Sequence, residues 1–185
     1  MSLGTVPALV WWIAGILIAF VSALAVYVLA RWAYGVVSRR YLVHVVSRRE
    51  GVRASCATLE AVVRDFEDAP DRLAGPLSRS AAEDRKTLID LACRMEIVTE
   101  ELDTMPLPRS LWPSASALAD AAYIIAEEAR RVGESDDTET IRSGLGQVDT
   151  RRAAEAFTAA DTTVRDASQR YKFDESVVYG GGLYI

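Results

Sequence analysis

The feature that constrains this chain most is a gap in its charge. No Asp, Glu, Lys or Arg occurs from Ser2 to Ala30, and Pro7 to Ala30 is a run of 24 almost wholly apolar residues. At about 1.5 Å per residue, a helix over this run is about 36 Å long, enough to cross a hydrocarbon core of about 30 Å with some tilt. Inside lipid a lone segment has to satisfy its own backbone, and a helix does so. Trp11 and Trp12 sit near one end of the run, and Trp32, Tyr34 and Tyr41 sit at or beyond the other. Amphipathic aromatics favour both membrane interfaces, so these positions read as anchoring belts. A cleaved signal peptide is the rival reading, with Ala23-Leu24-Ala25 as a small-x-small site. Against it stand the missing basic n-region and a run too long for a usual apolar signal core.

Six arginines follow the run, Arg31, Arg39, Arg40, Arg48, Arg49 and Arg53, against one acid, Glu50. Basic residues flanking a spanning helix stay in the cytoplasm, so the expected topology is N-terminus outside and C-terminal domain inside, in the inner (plasma) membrane. The same six arginines are candidate contacts for anionic headgroups. Arginine outnumbers lysine 19 to two, a bias that points to a GC-rich bacterial genome. Gly15, Ala19 and Ala23 form a small-xxx-small row, through which two copies of the helix would approach closely as a homodimer.

From Ala54 onward, 15 basic residues face 25 acidic ones, a net of −10. Such a surface repels phosphate, which excludes nucleic acid as an expected partner of this region and leaves membrane lipid and other proteins. Its pattern is helical. Leu42, Val45, Arg49, Val52, Cys56, Leu59, Val63 and Phe66 alternate in steps of three and four, a heptad seam that Arg49 and Gly51 weaken. The seam suits the core face of a bundle helix or an intermolecular coiled coil. Breakers at Pro70 and Gly75-Pro76 predict a loop over roughly 68 to 79. Ser78 or Ser80 is placed to cap a second helix running to about Thr104, with an inward stripe Leu88, Leu91, Met95, Val98 and Leu102. Pro106, Pro108 and Pro113 predict an extended stretch whose Leu107, Leu111 and Trp112 return to the bundle. A third helix is expected from Ser114 or Ser116 to Gly133, a weaker one over Thr138 to Val148, and a last one over Thr150 to Tyr171 with Ala153, Ala156, Phe157, Ala160, Val164 and Ala167 inward.

The expected fold is therefore all-α: a single N-terminal transmembrane helix continuing into an antiparallel helical bundle of three to four helices, then a short Gly-rich aromatic C-terminal tail. The boundaries are 1–6 for an extracytoplasmic N-terminus, 7–30 for the spanning helix and 31–68 for the basic juxtamembrane segment and proximal helix. The acidic bundle is 80–171, packing with 42–66, and the tail is 172–185. In the tail Val177, Val178, Tyr179, Leu183, Tyr184 and Ile185 are unusually apolar for a solvated chain end, and they are expected to dock on the bundle or in a partner's groove, with plain disorder as the alternative.

No catalytic, cofactor-binding or metal-binding residue is expected. His44, the sole histidine, lies just past the apolar run, and a catalytic triad would have to use it. One His and two separated cysteines, Cys56 and Cys93, cannot make a zinc site and read as a surface histidine and two small buried apolar side chains. Gly144-Leu145-Gly146 lacks the strand and third glycine of a dinucleotide loop. The expected role is a non-enzymatic interaction or scaffold module at the cytoplasmic face of a bacterial membrane. The alternative is an accessory or regulatory subunit of a larger transport, secretion or envelope complex.

Overall fold

A computed structural model describes residues 5–68, 79–133, 138–175 and 178. Five α-helices follow in order: α1 (Thr5–Asp68), α2 (Arg79–Thr104), α3 (Trp112–Gly133), α4 (Thr138–Leu145) and α5 (Thr150–Arg170), with a 3-10 turn at Arg109–Leu111 before α3. No strand occurs among the described residues. The apolar run and the proximal helix are one element: α1 is 64 residues long and unbroken, about 96 Å at the standard rise.

Two environments divide α1. Large apolar side chains from Val10 to Val37 are exposed, while Ser38, Leu42, Val45 and Val46 are fully buried. Among the described residues this is the one helix long and apolar enough to cross a membrane. Below Ser38 the heptad positions Leu42, Val45, Arg49, Val52, Cys56, Leu59 and Val63 are all buried. They face α2, α3 and α5 of the same chain, so the seam is accounted for by an intramolecular core. The side chain of Phe66 lies outside the described residues.

The bundle runs antiparallel. Arg39, Arg49 and Arg53 on α1 meet Tyr171, Asp161 and Phe157 respectively, so α5 descends in number as α1 rises. Ser114 at the start of α3 donates to the Thr163 carbonyl near the end of α5, while Glu128 at the far end of α3 meets Asp149 just before α5. The central helix, α3, touches all four others. Its buried face mixes Leu118, Ile125 and Val132 with Ala115, Ala122 and Ala129, and the alanines let neighbouring backbones come close. The expected stripe of α2 is buried at Leu88, Leu91, Met95, Val98 and Leu102; that of α5 is buried at Ala153, Ala160, Val164 and Ala167 and half-buried at Ala156 and Phe157.

Three local expectations are corrected. α3 begins at Trp112 rather than at Ser114 or Ser116, because Pro113 sits in the first helical turn, where a missing N–H costs nothing. Leu107 and Leu111 do return to the core, but Trp112 is 57% exposed and only its Nε1 is held, donating to the Leu107 carbonyl at 2.9 Å. Cys56 is buried as expected, whereas Cys93 is exposed, because it lies off the α2 stripe. α2 is already helical at Arg79; Ser78 and residues 134–137 lie outside the described residues.

Candidate functional site

The antiparallel register brings the end of α5 and the turn before α3 to one place, the level on α1 where the exposed apolar stretch gives way to the bundle. There Tyr34 of α1 and Tyr171 at the C-cap of α5 share one partner, Ser110: the Tyr171 hydroxyl donates to it, and the Tyr34 hydroxyl lies 3.2 Å from it. Arg39 Nε donates to the Tyr171 carbonyl at 3.0 Å, so a cation from α1 caps the negative end of α5.

The chain reverses just beyond. The Lys172 amide donates to the Gln169 carbonyl and the Phe173 amide to the Ser168 carbonyl, the paired bonds that close a Schellman turn. The residue at the left-handed position of such a turn is usually glycine; here it is Lys172, with φ of 49°. A groove of about 720 Å³ opens beside this turn. Arg31 and Arg39 line it from α1, and Arg170 and Lys172 from the end of α5, with no acid among the lining residues. Its apolar wall is Val28, Trp32 and Val36, continuous with the exposed face of α1.

Reversal of the chain carries the tail back along α1 to a second cluster. Arg49, 3% exposed, holds Glu175 with two prongs, NH1 to Oε1 at 3.2 Å and NH2 to Oε2 at 2.7 Å. Its Nε is 3.5 Å from Asp161, which also meets Arg53 at 3.3 Å and Arg165 at 2.9 Å. Burial alone would raise the Glu175 carboxyl, but the hydrogen bonds and charge of Arg49, with the charge of Arg165 beside them, outweigh it and hold it below its usual range. Val178 packs half-buried on the core. Val177, Tyr179, Leu183, Tyr184 and Ile185 lie outside the described residues.

The six arginines that follow the apolar run thus separate. Arg49 is corrected: it is enclosed by carboxylates of its own bundle and is not open to a headgroup. Arg48 pairs with Glu101 at 2.8 Å, and Arg53 pairs with Glu50 and Asp161 while lying 5.8 Å from the Phe157 ring. Arg31, Arg39 and Arg40 remain exposed, and no carboxylate partner meets them among the described residues. Gly15, Ala19 and Ala23 are exposed, with nothing within 4 Å of a Cβ placed on Gly15. The sequence reading missed Arg170 and Lys172. Their signal was two cations closing the last helix of an acidic domain, one of them among only two lysines in the chain.

No group of three or more His, Cys, Asp or Glu among the described residues could hold a metal ion. His44 is exposed on α1, and Gly144 lies in the last turn of α4, packed against the Arg131 carbonyl and Val132 of α3 rather than lining a phosphate loop. Burial, with the Glu60 charge and hydrogen bond adding to it, pushes the Cys56 thiol up to about 11, the reverse of what a nucleophile needs. Comparison with protein-family models, with curated proteins and with solved structures finds no match to this chain.

Proposed function

We propose that this chain is a single-pass protein of a bacterial inner membrane, N-terminus outside and bundle in the cytoplasm. The bundle is a non-enzymatic interaction or scaffold module held against the membrane face. One observation carries the reading: the handover on α1, where an exposed apolar helix becomes, with no break, a core helix of the helical domain. A flexible linker would let a domain roam; an unbroken helix fixes its height and orientation instead. The arginine asymmetry supports the topology. The exposed row Gly15, Ala19 and Ala23 supports pairing with a second copy, through close approach of two backbones.

Cys93 is an exposed thiol on the bundle and serves as the topology probe. A membrane-impermeant maleimide should leave it unlabelled in intact cells and label it after lysis; labelling in intact cells would reverse the orientation. Resistance of the chain to alkaline carbonate extraction tests the span itself. Crosslinking in cells, followed by electrophoresis of solubilised native complexes, tests the role. Recurrent single partners fit the scaffold reading, whereas co-migration with one fixed set marks an accessory subunit of a larger complex.

A further inference from the structure

We infer that the groove at the foot of the apolar stretch is a binding site for the phosphate headgroup of one anionic phospholipid, taken from the membrane the chain spans. The inference deepens the proposed function and rests on its membrane-spanning reading. Its ground is a convergence of positive charge that no carboxylate among the described residues neutralises. Arg31, Arg39, Arg170 and Lys172 line the groove, and none forms an ion pair with a described residue. Elsewhere in the bundle Arg48, Arg49, Arg53, Arg131, Arg152 and Arg165 all meet carboxylates. Four cations stand together with no acid among the lining residues, and a bound anion relieves their mutual repulsion.

The backbone points the same way. Lys172 is held at a positive φ, where glycine would sit without strain. The helix-end carbonyls are satisfied by backbone amides of residues 171 to 173, and glycine would make those bonds equally well. What the lysine adds over glycine is a side chain at the groove. Strain kept where a better-fitting residue exists is the mark of a functional position.

The apolar wall decides between a lipid and a free phosphate. Val28, Trp32 and Val36 continue the exposed apolar surface of α1 into the groove, so acyl chains can lie along α1 while the phosphate meets the cations. Trp32 and Tyr34 stand at the height where aromatics favour the headgroup layer. A soluble phosphate has no use for that wall.

The test is native mass spectrometry of the full-length chain released from vesicles of phosphatidylcholine and phosphatidylglycerol, counting retained lipid. The wild type should keep one phosphatidylglycerol in preference to phosphatidylcholine. A basic residue near an anionic surface is worth about 1 kcal/mol, so Arg170→Gln and Lys172→Gly should each lower that preference roughly fivefold. Arg109→Gln, an exposed cation at the same end of the bundle but outside the groove, should leave it unchanged. Lys172→Gly should also raise the thermal midpoint, because it relieves the strained φ, so lost lipid cannot be ascribed to lost fold. Equal losses in Arg109→Gln and Arg170→Gln would reduce the site to diffuse attraction and overturn the inference. Displacement by millimolar inorganic phosphate would overturn the lipid assignment. A chain that resists carbonate extraction yet shows no lipid preference sinks this inference alone, whereas a chain extracted by carbonate sinks the spanning reading beneath it.

Discussion

Arg49 occupies a seam position where the heptad pattern asks for an apolar residue, and replacing it asks what holds the tail to the bundle. In Arg49→Met the side chain keeps most of its stem volume and loses its charge. Of the three acids around it, two keep cations: Asp161 retains Arg53 and Arg165, and Glu50 retains Arg53. Glu175 loses its two-pronged partner. Removing one member of a fully buried ion pair costs about 3 to 5 kcal/mol. The Glu175 side chain is 25% exposed and lies on a terminal segment, so it can turn into water. That escape reduces the cost to the range of charge-assisted hydrogen bonds, about 2 kcal/mol. For a domain of this size the expected drop in melting midpoint is about 6 °C. Glu175→Gln should cost less, about 1 to 1.5 kcal/mol, because Arg49 keeps Asp161 and Glu50. The double variant should fall short of the sum by at least 1 kcal/mol, since the two side chains lose the same interaction. The assay is a double-mutant cycle on the full chain in detergent, melted in urea and followed by far-ultraviolet circular dichroism. Additivity within about 0.5 kcal/mol would show that Arg49 and Glu175 do not act on each other. An Arg49→Met chain as stable as wild type would show that the buried charge contributes nothing net, and the account of tail docking would fail with it.

The same contact sets an acid limit. Because the Glu175 carboxyl is held below its usual 4.5 in the folded chain, its contribution is present above that value and disappears as pH falls through the lowered one. Hydrogen exchange at residues 171–175 should accelerate, relative to α3, on acidification below about 4.5, and an identical profile in Glu175→Gln would refute the assignment. With its thiol pushed up to about 11, buried Cys56 should resist iodoacetamide at mildly alkaline pH while exposed Cys93 reacts, a difference read by peptide mass; equal rates would contradict the burial of the α1 seam. Glu128, whose side chain is 1% exposed, accepts from the Asp149 amide and from Arg152 and sits beside Arg131, so it ties α3 to the start of α5. Glu128→Leu should destabilise by about 2 kcal/mol, well beyond the more exposed Glu127→Ala; matching melts would mean the buried carboxylate is dispensable.

What could be read from the sequence was what each helix decides for itself. The stripes of α1, α2 and α5 were legible because period and burial are local consequences of the same backbone geometry. Cys93 shows the rule in reverse: its spacing from Leu91 and Met95 already placed it off the stripe, and a general preference of cysteine for burial misled where the periodicity did not. Trp112 misled similarly, since a large apolar residue beside three prolines suggested a buried anchor, while Pro113 in fact opened a helix and turned the indole outward. Arg49 was legible only as a flaw in the seam. Its partners lie 112 and 126 positions further along the chain, and nothing in α1 announces them. The groove was hidden for a related reason. Arg170 and Lys172 at the end of α5 have a sufficient local explanation, cations at a helix C-terminus. Arg31 and Arg39 have another, cations flanking an apolar span. Each pair is satisfactory alone, so neither prompts a search for the other. They become one feature through the register that sets Arg39 on Tyr171, Arg49 on Asp161 and Arg53 beside Phe157. That register is a joint property of two apolar faces and one buried ion cluster. Sliding α5 by one turn along α1 would move its end about 5.4 Å, breaking both the Arg39 cap and the Arg49 cluster. The contacts that fix the register of the bundle are therefore the ones that assemble the groove, and the same Arg39 bond to Tyr171 serves both.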